Sequence, residues 1–131
     1  MSTQVMIRDE LSIGGHAREW PLQLPEGSIT VRELLRRRVR AEVEAYNTAL
    51  PEVYQGLIQP GDAEAELNGY RMRQRKPIDG EKQFERALKA FEGNQILVLL
   101  DDYQVGTLEE HVEPEEMSKV TFLRLVPLVG G

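Results

Sequence analysis

The stretch ITVRELLRRRVRAEVEAYNTALP, residues 29–51, constrains the fold more than any other part of the chain. Thr30-x-x-Glu33 has the spacing of a capping box, in which the Thr30 hydroxyl accepts from the amide of Glu33 and the Glu33 carboxylate reaches back. Ile29 and Leu34 stand where a hydrophobic staple would clamp the entry. Val31, Leu34, Leu35, Val39, Val43 and Tyr46 then recur at helical spacing and make one apolar stripe. A helix over Val31–Ala49 follows, ended before Pro51. Such a helix must bury its stripe, and the chain around it reads as strands.

Gln4–Ile13 reads as a first strand, with Val5, Ile7 and Leu11 on one side. The paired glycines of SIGGHAR suit a hairpin turn. Trp20, Leu22 and Leu24 then alternate as a second strand, and Pro21 requires that strand to lie at an edge or a bulge. Near the other end, NQILVLLDDYQV holds a continuous apolar run, which predicts a strand buried on both faces, or nearly so, central or parallel in its sheet, with Asp101-Asp102 in a turn. GTLEEHVEPEEMSKV is acidic connecting chain, and VTFLRLVPL is a last strand with Leu123 and Leu125 expected to anchor it in the core.

Between the first helix and the apolar run, residues 51–93 form an insertion. Pro51, Gly56, Pro60, Gly61, Gly69 and Pro77 punctuate its first part, which is long enough to hold structure of its own. DAEAELNGY is compatible with a short helix and YRMRQRKPI with extended chain. A second amphipathic helix is expected over Gly80–Glu92, with Phe84, Ala87, Leu88 and Phe91 on one face and Gly93-Asn94 as its stop. The order of elements predicts an α+β domain spanning residues 1–131: a hairpin whose first strand pairs in parallel with the last, crossed by one main helix. This is the β-grasp arrangement, though the pattern also admits other α+β sheets.

Charge and composition narrow the function. The chain has 131 residues, a formal net charge of −6 and no cysteine. A thiol nucleophile, a thiolate zinc site and a disulfide scaffold are thereby excluded. An acidic chain lacks the basic footprint of a general nucleic-acid binder. The beginning of the chain has no basic segment followed by an apolar one, and the longest apolar run, Ile96–Leu100, is far short of a membrane span. A cytoplasmic protein with neither nucleic-acid nor membrane partners is expected.

The segments NQILVLLDDYQV and FLRLVPLVGG, taken with the capped helix and the hairpin, resemble ubiquitin and ubiquitin-like modifiers, and most of all the bacterial ubiquitin-like proteins. The resemblance covers roughly residues 1–50 and 94–131; the insertion has no counterpart in ubiquitin. It implies a β-grasp domain with a flexible tail over residues 127–131. It further implies that an adenylating, ubiquitin-activating-like enzyme activates the Gly131 carboxylate, that a conjugating enzyme passes it to an amine of a target protein, and that a metalloprotease can reverse the bond. Under this resemblance Gly130 and Gly131 are the conjugation residues. Glycines suit a tail that threads a narrow channel, because they have no Cβ to clash. Pro127, lacking an N–H, would end strand pairing, leaving Leu128 and Val129 as apolar handles for tail recognition. Where ubiquitin's tail carries arginines, this chain has Val126, Pro127, Leu128 and Val129, so an enzyme reading arginines should reject it. The outward apolar patch of ubiquitin does not transfer directly, since whether Val98 or Leu99 faces outward depends on a one-residue register.

Other motifs yield less. RRRVR, Arg36–Arg40, reads as a solvated helix face interspersed with Glu33, Glu42 and Glu44. Extended chain at Tyr70–Lys76 would put Arg71, Arg73 and Arg75 on one side and Tyr70, Met72 and Gln74 on the other. Tyr70, Arg71, Arg73 and Arg75 are therefore a candidate docking patch for an acidic surface, phosphate or RNA, against the plainer reading of an exposed strand face. Glu109, Glu110, Glu113, Glu115 and Glu116 lack the spacing of a calcium loop, and no metal or cofactor is expected. His16 lies in a turn and His111 in the acidic loop; Lys76, Lys82, Lys89 and Lys119 read as surface residues. No catalytic constellation stands out, so the chain is read as the substrate of an enzyme rather than an enzyme. Two alternatives stay open: a sulfur carrier activated to a thiocarboxylate, and a non-covalent interaction module working through its sheet or its insertion.

Overall fold

The computed structural model describes residues 1–14, 17–61, 63–66 and 69–125. In chain order the elements are β1 (Ser2–Leu11), β2 (Arg18–Pro25), β3 (Ile29–Thr30), α1 (Val31–Ala49), β4 (Val53–Tyr54), β5 (Glu64–Glu66), β6 (Gly69–Arg71), α2 (Gly80–Glu92), β7 (Ile96–Leu100), β8 (Tyr103–Gln104), β9 (His111–Val112) and β10 (Lys119–Arg124). The fold is α+β. Its main sheet is mixed, in the order β2-β1-β10-β7-β8, with β1 and β10 parallel and the other neighbours antiparallel. Pro21 sits on β2, an edge strand, where a missing ladder donor is tolerated.

Both helices begin and end where local chemistry demands. The Thr30 hydroxyl accepts from Glu33 N–H at 3.1 Å, but the box is half made: the Glu33 carboxylate turns to Arg37 at 3.0 Å and Arg36 at 3.3 Å. The remaining first-turn amides are met from the acidic chain, Val31 N–H by the Glu110 carbonyl and Arg32 N–H by that of Leu108, each at 2.9 Å. Leu50 ends α1 in the left-handed region, its N–H on the Tyr46 carbonyl at 2.7 Å, ahead of Pro51. Asp79 caps α2 by accepting from the amides of Glu81 and Lys82. Gly93 closes α2 and Asn94 follows with φ 58°. His111 lies in β9 and pairs with Thr30, while Asp101-Asp102 form a turn.

The core lies between the sheet and α1. Val5 and Ile7 from β1, Leu22 and Leu24 from β2, Ile96 and Val98 from β7, and Val120 and Phe122 from β10 are buried against Val31, Leu34, Leu35, Val39, Val43 and Tyr46 of α1. Two expectations are corrected here. In β10 the core-facing residues are Val120 and Phe122, while Leu123 is only partly buried and Leu125 is 39% exposed. The ladder decides this: Phe122 stands opposite Val98, so the strand's odd positions point to the other face. Likewise, β7 is antiparallel to both its neighbours and buried on one face, with Leu97 and Leu99 half-buried on the other.

The insertion extends this core. β4, β6 and β5 form a small antiparallel sheet, in that order, so residues 64–66 are strand rather than the short helix expected. Tyr54, Leu57, Ala63 and Tyr70, together with Phe84, Ala87, Ala90 and Phe91 of α2, join the same buried cluster. No helix among the described residues is long and apolar enough to cross a membrane.

Candidate functional site at the end of the last strand

The last strand is held to the edge of the described chain. The Arg124 carbonyl accepts from Ser12 N–H and Leu125 N–H donates to the Gln95 carbonyl, both at 2.9 Å. The inner-face side chain of Arg124 runs out from under the sheet and meets the insertion. Its guanidinium donates to the Tyr70 hydroxyl and lies 5.4 Å from the centre of the Tyr70 ring. Beside it opens a cleft of about 360 Å³, walled by Asp9, Arg18 and Arg38 on one side and Gln55, Gly56 and Leu57 of the insertion on the other. Arg18 closes across it, donating to the Gln55 carbonyl at 3.1 Å.

A buried ion network forms the base of the cleft. Arg38 is 1% exposed. Its two terminal nitrogens grip Asp9, one on each carboxylate oxygen. Its Nε and a terminal nitrogen also donate to Glu42 at 3.3 and 3.2 Å. The guanidinium stacks 4.5 Å from the Phe122 ring centre, and Trp20 Nε1 donates to Asp9 at 3.1 Å. Glu42 reaches the insertion: it accepts from the Tyr54 hydroxyl at 3.1 Å and from Leu57 N–H at 3.1 and 3.3 Å. Strand β1, helix α1, strand β10 and the insertion thus share one set of charges. Burial alone would pull the Arg38 guanidinium down, but Glu42 and Asp9 more than reverse it and hold its pKa above the ordinary value. Burial pushes the Glu42 carboxyl up against the opposing pull of Arg38 and the Leu57 amide. Burial, reinforced by Glu42, raises the Tyr54 phenol far above its usual range.

The expected site residues fall into two groups. Pro127, Leu128, Val129, Gly130 and Gly131 lie outside the described residues, as does His16. The candidate patch is not the extended stripe expected. β6 stops at Arg71 and the chain bends at Arg73-Gln74. Tyr70 is buried, whereas Arg71, Arg73 and Arg75 are exposed and lie near the chain's own carboxylates, Arg71 and Arg75 at 3.6 and 3.7 Å from Glu52 and Arg73 at 3.8 Å from Glu64. Gln74 is exposed as well, so the two-sided alternation fails. In RRRVR, Arg38 departs from the expected solvated face; Arg36 lies over the Phe84 ring and Arg40 is exposed.

Asp9, Arg38, Glu42 and Arg124 were not among the sequence candidates. Among the described residues the cleft offers paired charges. Among the described residues no group of His, Asp and Glu side chains is placed to hold a metal ion. Comparison with protein-family models, with curated proteins and with solved structures finds no match to this chain.

Proposed function

We propose that this chain is a β-grasp, ubiquitin-like protein modifier, activated and conjugated through the Gly131 carboxylate. The observation that carries the reading is the position of β10. It is a central strand, parallel to β1 and antiparallel to β7, with α1 packed across the inner face, and in the sequence it is followed by Leu-Val-Pro-Leu-Val-Gly-Gly. A first strand parallel to the last, with one helix across the sheet, supports the reading, and the di-glycine pair follows that last strand in the sequence.

In this role the carboxylate of Gly131 attacks the α-phosphorus of ATP on an adenylating enzyme, and pyrophosphate leaves. A thiol then attacks the acyl carbon and displaces AMP. An amine of the target protein next displaces the thiol, leaving an amide bond. The chain supplies no catalytic group to these steps. In the same role Pro127 brings no N–H to a strand ladder, Leu128 and Val129 offer a partner apolar side chains, and Gly130 and Gly131 add no Cβ beside the carboxylate.

The test is to incubate the protein ending at Gly131, and a form lacking Gly131, with ATP and the adenylating enzyme encoded nearest to it. An adenylate and a thiol-labile thioester on the complete form alone are expected. Equal behaviour of the two forms would overturn the proposal, and exchange of one oxygen for sulfur at the terminal carboxylate would identify a sulfur carrier instead.

A further inference from the structure

A second concavity is lined, among the described residues, by the insertion alone. It measures about 370 Å³ and is bounded by Pro60, Met72 and Ile78 beneath and by Arg73, Lys76, Lys82 and Arg86 around. That volume is within the range of small-ligand sites. Among the described residues Asp79 is the single carboxylate in its lining, and its Oδ1 is already engaged by the amides of Glu81 and Lys82. The first amides of α2 are therefore satisfied from within, and what the cavity offers is side-chain charge. Among the described residues, Lys76 and Lys82 have no ion-pair partner. Arg86 spends one nitrogen on the Gln59 carbonyl at 3.3 Å, and Arg73 stands 3.8 Å from Glu64.

Four cations around one hollow are conspicuous in a chain of net charge −6. Like charges converging on a concave surface repel one another and focus positive potential into it. A multiply charged anion relieves that repulsion, and the mixture of two arginine forks and two lysine ammoniums matches phosphate oxygens presented at several angles. We propose that this cavity binds a small-molecule oligophosphate anion. The site does not depend on the tail, so it stands or falls separately from the modifier reading.

The experiment titrates inorganic tripolyphosphate into the full chain at low salt. It is followed by calorimetry and by amide chemical shifts, and repeated on the form lacking Gly131. Saturable one-to-one binding is expected, equal in the two forms, with shifts concentrated over residues 72–86 and affinity falling steeply with added salt. Lys76→Ala combined with Lys82→Ala should weaken it at least tenfold, and Arg86→Ala alone severalfold, while Arg40→Ala on α1 leaves it unchanged. All are exposed positions, and an unchanged melting temperature checks that the fold survives. No saturation at millimolar anion, shifts spread over cations throughout the chain, or wild-type affinity in the double variant would each overturn the proposal. So would tighter binding of oligouridylate than of tripolyphosphate, which would make the hollow part of an RNA surface.

Discussion

Arg38 of α1 and Asp9 of β1 face each other in a two-pronged ion pair, the guanidinium fork matched to both carboxylate oxygens. Among the described residues Arg38, almost wholly buried, is the one cation that pairs with both Asp9 and Glu42, while Arg18 reaches Asp9 alone at 4.0 Å. Removing one partner of a buried ion pair costs about 3–5 kcal/mol, because the charge left behind is uncompensated. Arg38→Met, which keeps the packing volume, should therefore destabilise the fold by about that amount. Arg40→Met, two residues further along α1 and exposed, should shift stability by less than about 0.5 kcal/mol. Urea unfolding of both variants checks this, and a small loss in Arg38→Met would show that the network contributes little.

The insertion is pinned to the helix through Glu42, whose carboxylate takes the Tyr54 hydroxyl and the Leu57 amide. Tyr54→Phe deletes one donor to a charged acceptor and is expected to cost about 1.5–3 kcal/mol. Gly56 tests the same contact sterically. A Cβ there would lie 2.0 Å from the Tyr54 ring, and Tyr54 is fully buried with nowhere to swing. Gly56→Ala should lift β4 and the 55–57 segment from α1, raising hydrogen exchange at Leu57 and at the β4–β6 ladder. Gly80→Ala, whose Cβ would meet only Val43 at 3.8 Å, should leave exchange unchanged.

How much of this was readable from the sequence depends on how local each cause is. Both helices lie where their stripes, the Thr30 cap and the Gly93-Asn94 stop placed them, because those signals act on backbone within a turn or two, whereas the cap at Asp79 was not read. The stripe of α1 also held a clue that composition hid: positions 31, 34, 35, 39, 43 and 46 are apolar, and the two gaps in that series are Arg38 and Glu42. Charges four apart on the buried face, with Asp9 on a strand that faces inward, are the signature of a buried pair rather than a solvated one. Facing in β10 was not legible, since Leu123 and Val120 are equally apolar and only the partner register separates them. The Glu-Ala-Glu of β5 has a helix-forming composition, and pairing with β6 overrode it. The contact of Arg124 with Tyr70 spans 54 residues, beyond any local pattern.

The N-terminus of α1 separates a full capping box from a half-formed one. Since Thr30 accepts from Glu33 N–H while the Glu33 carboxylate serves Arg36 and Arg37, Thr30→Ala should cost about 1 kcal/mol. Glu33→Ala would remove only partly exposed helix ion pairs, about 0.3–0.5 kcal/mol each. Thermal unfolding of the two variants decides it. Equal losses would mean that Glu33 does return to the cap in solution.

The acidic chain that caps α1 is itself braced by Tyr103 and Glu110. The Tyr103 hydroxyl donates to one Glu110 oxygen at 2.5 Å and Gly106 N–H to the other at 2.7 Å. Both donors favour the ionised form, the tyrosine most, so the Glu110 carboxyl lies below the ordinary glutamate range of about 4.3. A carboxylate whose folded pKa is depressed contributes stability above its unfolded pKa and loses it as pH falls through the folded value. The brace should therefore be intact at neutral pH and loosen only below about pH 4. Carbon-detected titration should find the Glu110 side chain titrating below the ordinary glutamate range, and Tyr103→Phe should move it back up. Because the Glu110 carbonyl accepts from Val31 N–H, the amide shifts of Val31 and Arg32 should follow the same titration. A Glu110 midpoint unchanged by Tyr103→Phe would mean that the Gly106 amide alone holds the carboxylate.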